Sequence, residues 1–225
     1  MIARRALLAA CGATAASPRA WGVASQVPGL ASLPIPESRS IGFRVMRHGT
    51  PIGSHTLEFR VNGDRLDVDI AADVALYLGP IPIVRYTHRA TESWDGSRLV
   101  ALRASTNRNG TLMHASAERV AGRLHVEGSG TDPYDAPEDA LPTTYWNARM
   151  LLVPMIGTQD GGLVRPRVTP KGVQPVRQVS GAETPAECYS LTGDLDLDLW
   201  YDKLNRWMSM RFTVIDGSVI SYERL

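Results

Sequence analysis

The sequence is poor in cysteine, nearly neutral in net charge, and without any compact catalytic signature. Its two cysteines are Cys11 and Cys188. Cleavage of an N-terminal signal beyond Cys11 leaves one thiol, which excludes an internal disulfide framework. The formal net charge is +1. That argues against a nucleic-acid binder, which carries a basic patch or high pI, and gives no general attraction to an anionic membrane. No GxSxG elbow, GxGxxG turn or GxxxxGK phosphate loop occurs. The five histidines show neither HxxxH nor HxH spacing, and Cys188 has no CxxC partner. Neither a metal nor a cofactor is therefore expected. Asp194, Asp196 and Asp198 invite a calcium reading, but Leu199 and Asn205 stand where an EF-hand loop needs glycine and a carboxylate. On a strand these aspartates lie about 6–7 Å apart and read as a solvated face.

The N-terminus reads as an address. Arg4 and Arg5 precede a small, apolar run from Ala6 to Ala16, with cleavage-type residues such as Ala13-Thr14-Ala15. The run is far short of the roughly 20 residues that span a bilayer. Residues 1–24 are thus expected to be a cleaved signal peptide, leaving a periplasmic or otherwise exported protein. The arginine pair fits either a twin-arginine route or an ordinary signal. Leu8-Ala9-Ala10-Cys11-Gly12 also resembles a lipobox, so a lipid anchor at Cys11 stays open. Residues 25–39, with three prolines and no alternation, read as a flexible linker.

From residue 40 to 225 the dominant signal is period two. Ile41, Phe43 and Val45 alternate with Gly42, Arg44 and Met46; His55, Leu57, Phe59 and Val61 share one face. A long apolar row runs from Leu66 through Leu78 opposite Asp67, Asp69 and Asp73. Such alternation puts one face on a core and one in water. Turn pairs fall between the runs: Asn62-Gly63, Asp95-Gly96, Asn109-Gly110, Ala121-Gly122 and Asp216-Gly217. Residues 131–147 break the rhythm and read as a long loop; Asn147–Ile156 reads as the one short helix. Asp194–Tyr201 reads as a strand. The expectation is one all-β domain of eleven or twelve strands: a large, curved, mainly antiparallel meander forming a half-barrel or barrel, with curvature or closure protecting its edges. The outward row bears Arg85, Arg89, Asp67 and Asp69, unlike the lipid-facing band of an outer-membrane barrel.

Two clusters stand out. Tyr86, His88, Glu92 and Trp94 share one strand face; Tyr145, Trp146 and Asn147 lie in the irregular segment. The bland reading of His88 is a hydrogen-bonded core histidine. That of 143–147 is a hydrophobic plug, with Asn147 capping the next turn.

The stretches Tyr86 to Gly96, Arg98 to Leu102, Thr106 to Gly110, Thr143 to Asn147 and Leu199 to Asp202 with Trp207 resemble a bacterial exported family known as domain of unknown function 6134. The resemblance covers nearly all of 40–225 and implies no activity. The chain is more distantly similar to periplasmic β-clam proteins of the lipoprotein-carrier kind, which implies a half-barrel. The leading expectation is a module that binds a lipid or another hydrophobic small molecule, such as an acyl chain, at Tyr86, His88, Glu92, Trp94, Tyr145, Trp146 and Asn147. Two alternatives stay open: a periplasmic enzyme with a polar site inside the sheet, and an envelope structural or assembly protein without a ligand.

Overall fold

A computed structural model describes residues 33–78 and 80–225. The expected signal peptide, the Cys11 anchor and most of the linker lie outside the described residues. Sixteen strands occur among the described residues. Eight come first: β1 (Ser40–Arg47), β2 (Thr50–Asn62), β3 (Arg65–Leu78), β4 (Ile81–Asp95), β5 (Arg98–Arg108), β6 (Thr111–Val120), β7 (Arg123–Gly128) and β8 (Thr131–Ala136). Three short strands follow, β9 (Leu141–Pro142), β10 (Met155–Ile156) and β11 (Leu163–Val164), with a 3-10 turn at Ala148–Leu152. The last five are β12 (Arg167–Arg177), β13 (Glu183–Thr192), β14 (Leu197–Tyr201), β15 (Trp207–Thr213) and β16 (Val219–Arg224).

Thirteen strands form one antiparallel sheet in the order β12-β13-β14-β15-β16-β1-β2-β3-β4-β5-β6-β7-β8. The first and last strands of the chain pair with each other, Phe43 opposite Arg224 and Val45 opposite Tyr222. The break in the meander therefore falls mid-chain, between β8 and β12. The 137–166 segment bridges that break, and its small sheet runs β11-β10-β9.

The turns follow from local chemistry. Asn109 and Gly110 both take positive φ, 52° and 92°, as a tight two-residue hairpin turn requires. The edge strand β12 carries Pro170, Lys171 and Pro175 and a bulge between Pro170 and Gly172. Prolines, a lysine and a bulge blunt an edge against further pairing.

Register aligns the inward residues into rows. One row crosses seven strands: Phe59, Val68, Glu92, Leu102, Ala117, Val126 and Tyr134. These are apolar except Glu92. The outward face carries ion pairs, Arg89 with Asp73 at 2.8 Å and Arg60 with Asp69. The concave face is filled from within the chain, since Trp146, Ala148, Met150, Met155 and Ile156 join the main core. Leu33 and Ile35, at the end of the expected linker, also pack on it. A smaller cluster, Val176, Ala186, Cys188, Trp200 and Met208, forms on the other face of the sheet.

Four expectations need correction. The helix at 147–156 is only a 3-10 turn, because Pro154 and the strand pairing of Met155 and Ile156 cut it short. The loop at 131–147 begins as a strand, since β8 pairs with β7 from Thr131 to Ala136. The Asp194–Tyr201 strand starts at Leu197, because Asp194 and Asp196 are drawn into turn bonds to the Arg165 and Gly193 amides. The strand total exceeds eleven or twelve because short pieces build the filling segment.

Gly128 marks where that segment touches the sheet. A Cβ there would sit 2.0 Å from the Asp160 carbonyl oxygen, whereas one on Gly63 would meet nothing. Gly128→Ala is expected to cost about 3 kcal/mol or more by forcing backbones apart, against about 1 kcal/mol for the positive-φ Gly63→Ala. Urea unfolding of the two variants checks this; equal midpoints would contradict the docking.

Candidate functional site

Glu92 sits on β4 in the apolar row and is wholly buried. Its Oε2 accepts the indole N–H of Trp94 and that of Trp146, each at 2.9 Å. The two indoles meet edge to face at 5.5 Å, and Phe59 packs on Trp146 at 5.2 Å. Trp94 lies two residues along the same strand face, while Trp146 comes from the filling segment. One carboxyl oxygen thus ties the sheet to its contents. Burial raises the Glu92 pKa, opposed by the nearby Thr144 hydroxyl and by the two indole donors. The cost of burying a bare charge favours the neutral acid here. Glu92 Oε1 and Asn147 Nδ2 are buried with no hydrogen-bond partner among the described residues. Asn147 uses its Oδ1 to cap the 3-10 turn, accepting from the Arg149 amide at 3.2 Å.

A second group lies nearer one rim. Register places Phe43, His55, Ala72, His88 and Thr106 in a single row. Two histidines therefore flank the small Ala72, with backbones about 10 Å apart at ordinary strand spacing. His88 Nδ1 and the Thr106 hydroxyl are 2.8 Å apart, and Tyr86 stacks beside the ring at 6.4 Å. His55 has no hydrogen-bond partner at either ring nitrogen among the described residues, though it is buried. Trp207 and Tyr222 pack edge-on against it at 5.3 and 5.7 Å. Burial lowers its pKa to about 3, with His88 adding to the effect. Burial lowers that of His88 to about 4, helped by Arg89. Both rings are neutral at pH 7.

Tyr145 roofs this group, 5.6 Å from Trp207. Its φ is +67°, a conformation that side chains other than glycine rarely take. The Tyr201 hydroxyl holds it there by donating to the Tyr145 carbonyl at 2.7 Å. Strain held by a specific bond is common at functional positions.

All seven expected site residues thus face the interior, in two groups. Glu92, Trp94, Trp146 and Asn147 belong to the anchor of the filling segment. Tyr86, His88 and Tyr145 belong to the histidine row. His55 was missed in sequence, where it reads as one more residue of an alternating face; only the β2-β3-β4 register brings it opposite His88. Recesses between the outward side chains of β2 to β6, lined by residues such as Glu58, Arg89 and Arg103, open to solvent on the convex face; of the two groups only Thr106 borders one of them.

Two pH responses follow. Glu92 has a raised folded pKa, so its contribution is present below the unfolded pKa of about 4.5 and is lost as pH rises. Glu92→Gln keeps an acceptor for both indoles and removes this loss. Its advantage over the wild type should grow by about 1.4 kcal/mol per pH unit above 4.5, until the folded pKa is reached. Thermal unfolding at pH 5 and pH 8 would show it; an advantage unchanged with pH counts against a neutral Glu92. The histidines act oppositely. Their folded pKa values are depressed, so their stability is present above 6.5 and lost as pH falls towards 4 and 3. His55→Phe should flatten the acid limb between pH 6 and 4 by about 1.4 kcal/mol per unit. An unaltered limb in denaturant titrations would mean that His55 protonates freely in the fold.

The comparisons with known proteins agree with this architecture. The family model described as Domain of unknown function (DUF6134) matches residues 43–225. No curated protein matches the sequence. Among solved structures, the chain is similar to a β-barrel-like protein of the domain of unknown function DUF1849 from Brucella abortus. That likeness has a TM-score of 0.58 at 11% identity and covers 83% of this chain and 94% of the other. At that identity it speaks for the fold alone.

Proposed function

This chain belongs to the DUF6134 family of unknown function, and from its own side chains we propose that it is an exported envelope protein binding an acyl chain with a polar head. The observation that carries the reading is His55: two polar ring nitrogens, buried, unpartnered, one small residue away from a second neutral histidine. Buried polar groups are nearly always hydrogen-bonded, so an orphaned imidazole calls for a partner from outside the chain. A carboxyl head suits it, since a neutral imidazole offers one donor and one acceptor. From the histidine row, the half-buried Val74, Leu76 and Val84 continue the apolar face towards the β3–β4 tip. They supply a path for a hydrocarbon tail. The Glu92–Trp146 bond holds the filling segment beside this path. The basic, then apolar N-terminal stretch supports export to the periplasm, with a signal cleaved or a lipid carried at Cys11.

A second reading has its own support. The concave face is packed by Trp146, Met150, Met155 and Ile156. A filled interior suits a structural or assembly protein with no ligand.

Native mass spectrometry of the chain purified from its own periplasm separates the two. A mass reduced by the signal and increased by a lipophilic adduct is the expected result. A fluorescent fatty-acid probe should bind, and His55→Phe should weaken it about tenfold, the worth of one hydrogen bond of roughly 1.4 kcal/mol. An anionic head raises the imidazole pKa values and so takes up protons. Affinity should therefore tighten as pH falls from 7 towards 5, with the phenols of Tyr86, Tyr145 and Tyr222 remaining neutral. Bare polypeptide, together with no probe binding, would leave the structural reading standing.

A further inference from the structure

The β3–β4 hairpin breaks the rule that the rest of the sheet obeys. From Ala75 to Val84 the sequence is ALYLGPIPIV, without one polar side chain except the Tyr77 hydroxyl. β3 and β4 are the longest strands, and they remain paired to Leu78 and Ile81. Their pairing to the neighbouring strands ends earlier: β2 pairs with β3 only to Val74, and β5 pairs with β4 only to Tyr86. Four residues of the β3 arm and five of the β4 arm therefore lie beyond those pairings, about 13–17 Å at strand rise. Tyr77, Ile81 and Ile83 on this projection are 61%, 62% and 52% exposed. Below the register shift that follows Leu76, the paired Leu76 and Val84 are half-buried and apolar as well.

The rim around the tip adds to it. The β5–β6 turn is bonded to the hairpin, the Arg85 amide donating to Asn109 Oδ1 at 2.7 Å. Just beyond that turn Leu112 is 76% exposed. Exposed Arg85 and Arg108 stand at the base, and no acidic residue occurs from 74 to 91. Asp73 is paired with Arg89, and Asp216, in the β15–β16 turn of the same rim, with Arg47.

We propose that this end of the molecule docks on the surface of an anionic phospholipid bilayer, with the β3–β4 tip inserted and the arginines at the headgroups. A protein partner would ask for a broad complementary face, whereas this is a narrow prong, greasy all round, above a cationic collar. Aliphatic side chains suit the acyl boundary about 5–10 Å deep, and tyrosine suits the interface. Arg85 and Arg108 at its base match anionic headgroups, each such contact being worth about 1 kcal/mol. The local sign of charge matters here, not the near-zero total. The inference is independent of the acyl-chain reading: it needs the outer surface only.

The test is flotation of the full chain purified from periplasm with vesicles of phosphatidylglycerol and phosphatidylethanolamine, against vesicles of phosphatidylcholine alone. The expected result is binding to the anionic vesicles, weakened by 0.5 M salt. Tyr77→Ser/Ile81→Ser/Ile83→Ser should reduce it at least tenfold, and Arg85→Glu/Arg108→Glu should remove its salt dependence. These side chains are exposed, so both variants should keep the wild-type melting temperature and the wild-type affinity for the fatty-acid probe. Absence of vesicle binding by the wild type overturns the proposal, as does undiminished binding by the triple variant. Light scattering showing a wild-type dimer that the triple variant dissolves, without vesicle binding, assigns the tip to a second copy instead and also overturns it.

Discussion

A rolled sheet whose edges do not meet has to fill its own hollow, and that constraint organises this molecule. The dry faces of thirteen strands need apolar cover, and the bare edges of β8 and β12 need something between them. The first need is met by the residues joining those edges in the chain, which also bond to β8 through the Tyr134 hydroxyl and the Gly161 carbonyl. Because β16 pairs with β1, the only place left for the break is the middle of the sequence. The connection between β8 and β12 must then cross the hollow or hang outside it. It crosses, carrying Trp146, Met150, Met155 and Ile156 into the core and pressing the Asp160 backbone onto Gly128.

Apolar contact alone would leave the position of that filling poorly defined. Greasy surfaces slide at little cost, while a buried acceptor with two donors does not. Glu92 stands in a row of seven inward residues that is otherwise apolar or aromatic. Its Oε2 fixes Trp146 by a bond of defined direction and fixes Trp94 beside it. Breaking either bond in place leaves a buried N–H unsatisfied, at about 1–3 kcal/mol. The neutral acid achieves this without the larger cost of a buried ion. Register, rather than net stability, is what a polar group at this position contributes.

Period two made most of the sheet legible, because each alternating run between turn pairs became a strand with the expected dry face. The Asn109-Gly110 turn and the inward set Tyr86, His88, Glu92 and Trp94 came from the same rule. Three things escaped it. Pairing of β1 with β16 joins residues nearly the whole chain apart and leaves no local mark. The aspartates at 194 and 196 fit an alternating strand, but their side chains bond to backbone amides and hold a turn. The convergence of His55 with His88 depends on two registers in series, each set by where a turn happens to fall. A histidine among alternating residues cannot announce what lies across two strands.

The same rule is most informative where it fails. Between Ala75 and Val84 both faces are apolar, although one of them faces water. Folding gains nothing from Tyr77, Ile81 and Ile83 where they stand, since they pack on no core. Local rules broken without an internal compensation mark places shaped by something outside the fold. The inward side of this hairpin runs from Val84 and Leu76 to Val74 and Tyr86, whose phenol is its one polar group, and then meets the histidine row at Ala72. The outward side runs into solvent. Taken with the two proposals above, this surface, which begins outside the molecule and ends at the imidazole of His55, reads as a route as well. It would let a hydrocarbon chain pass from a membrane towards His55 without crossing water.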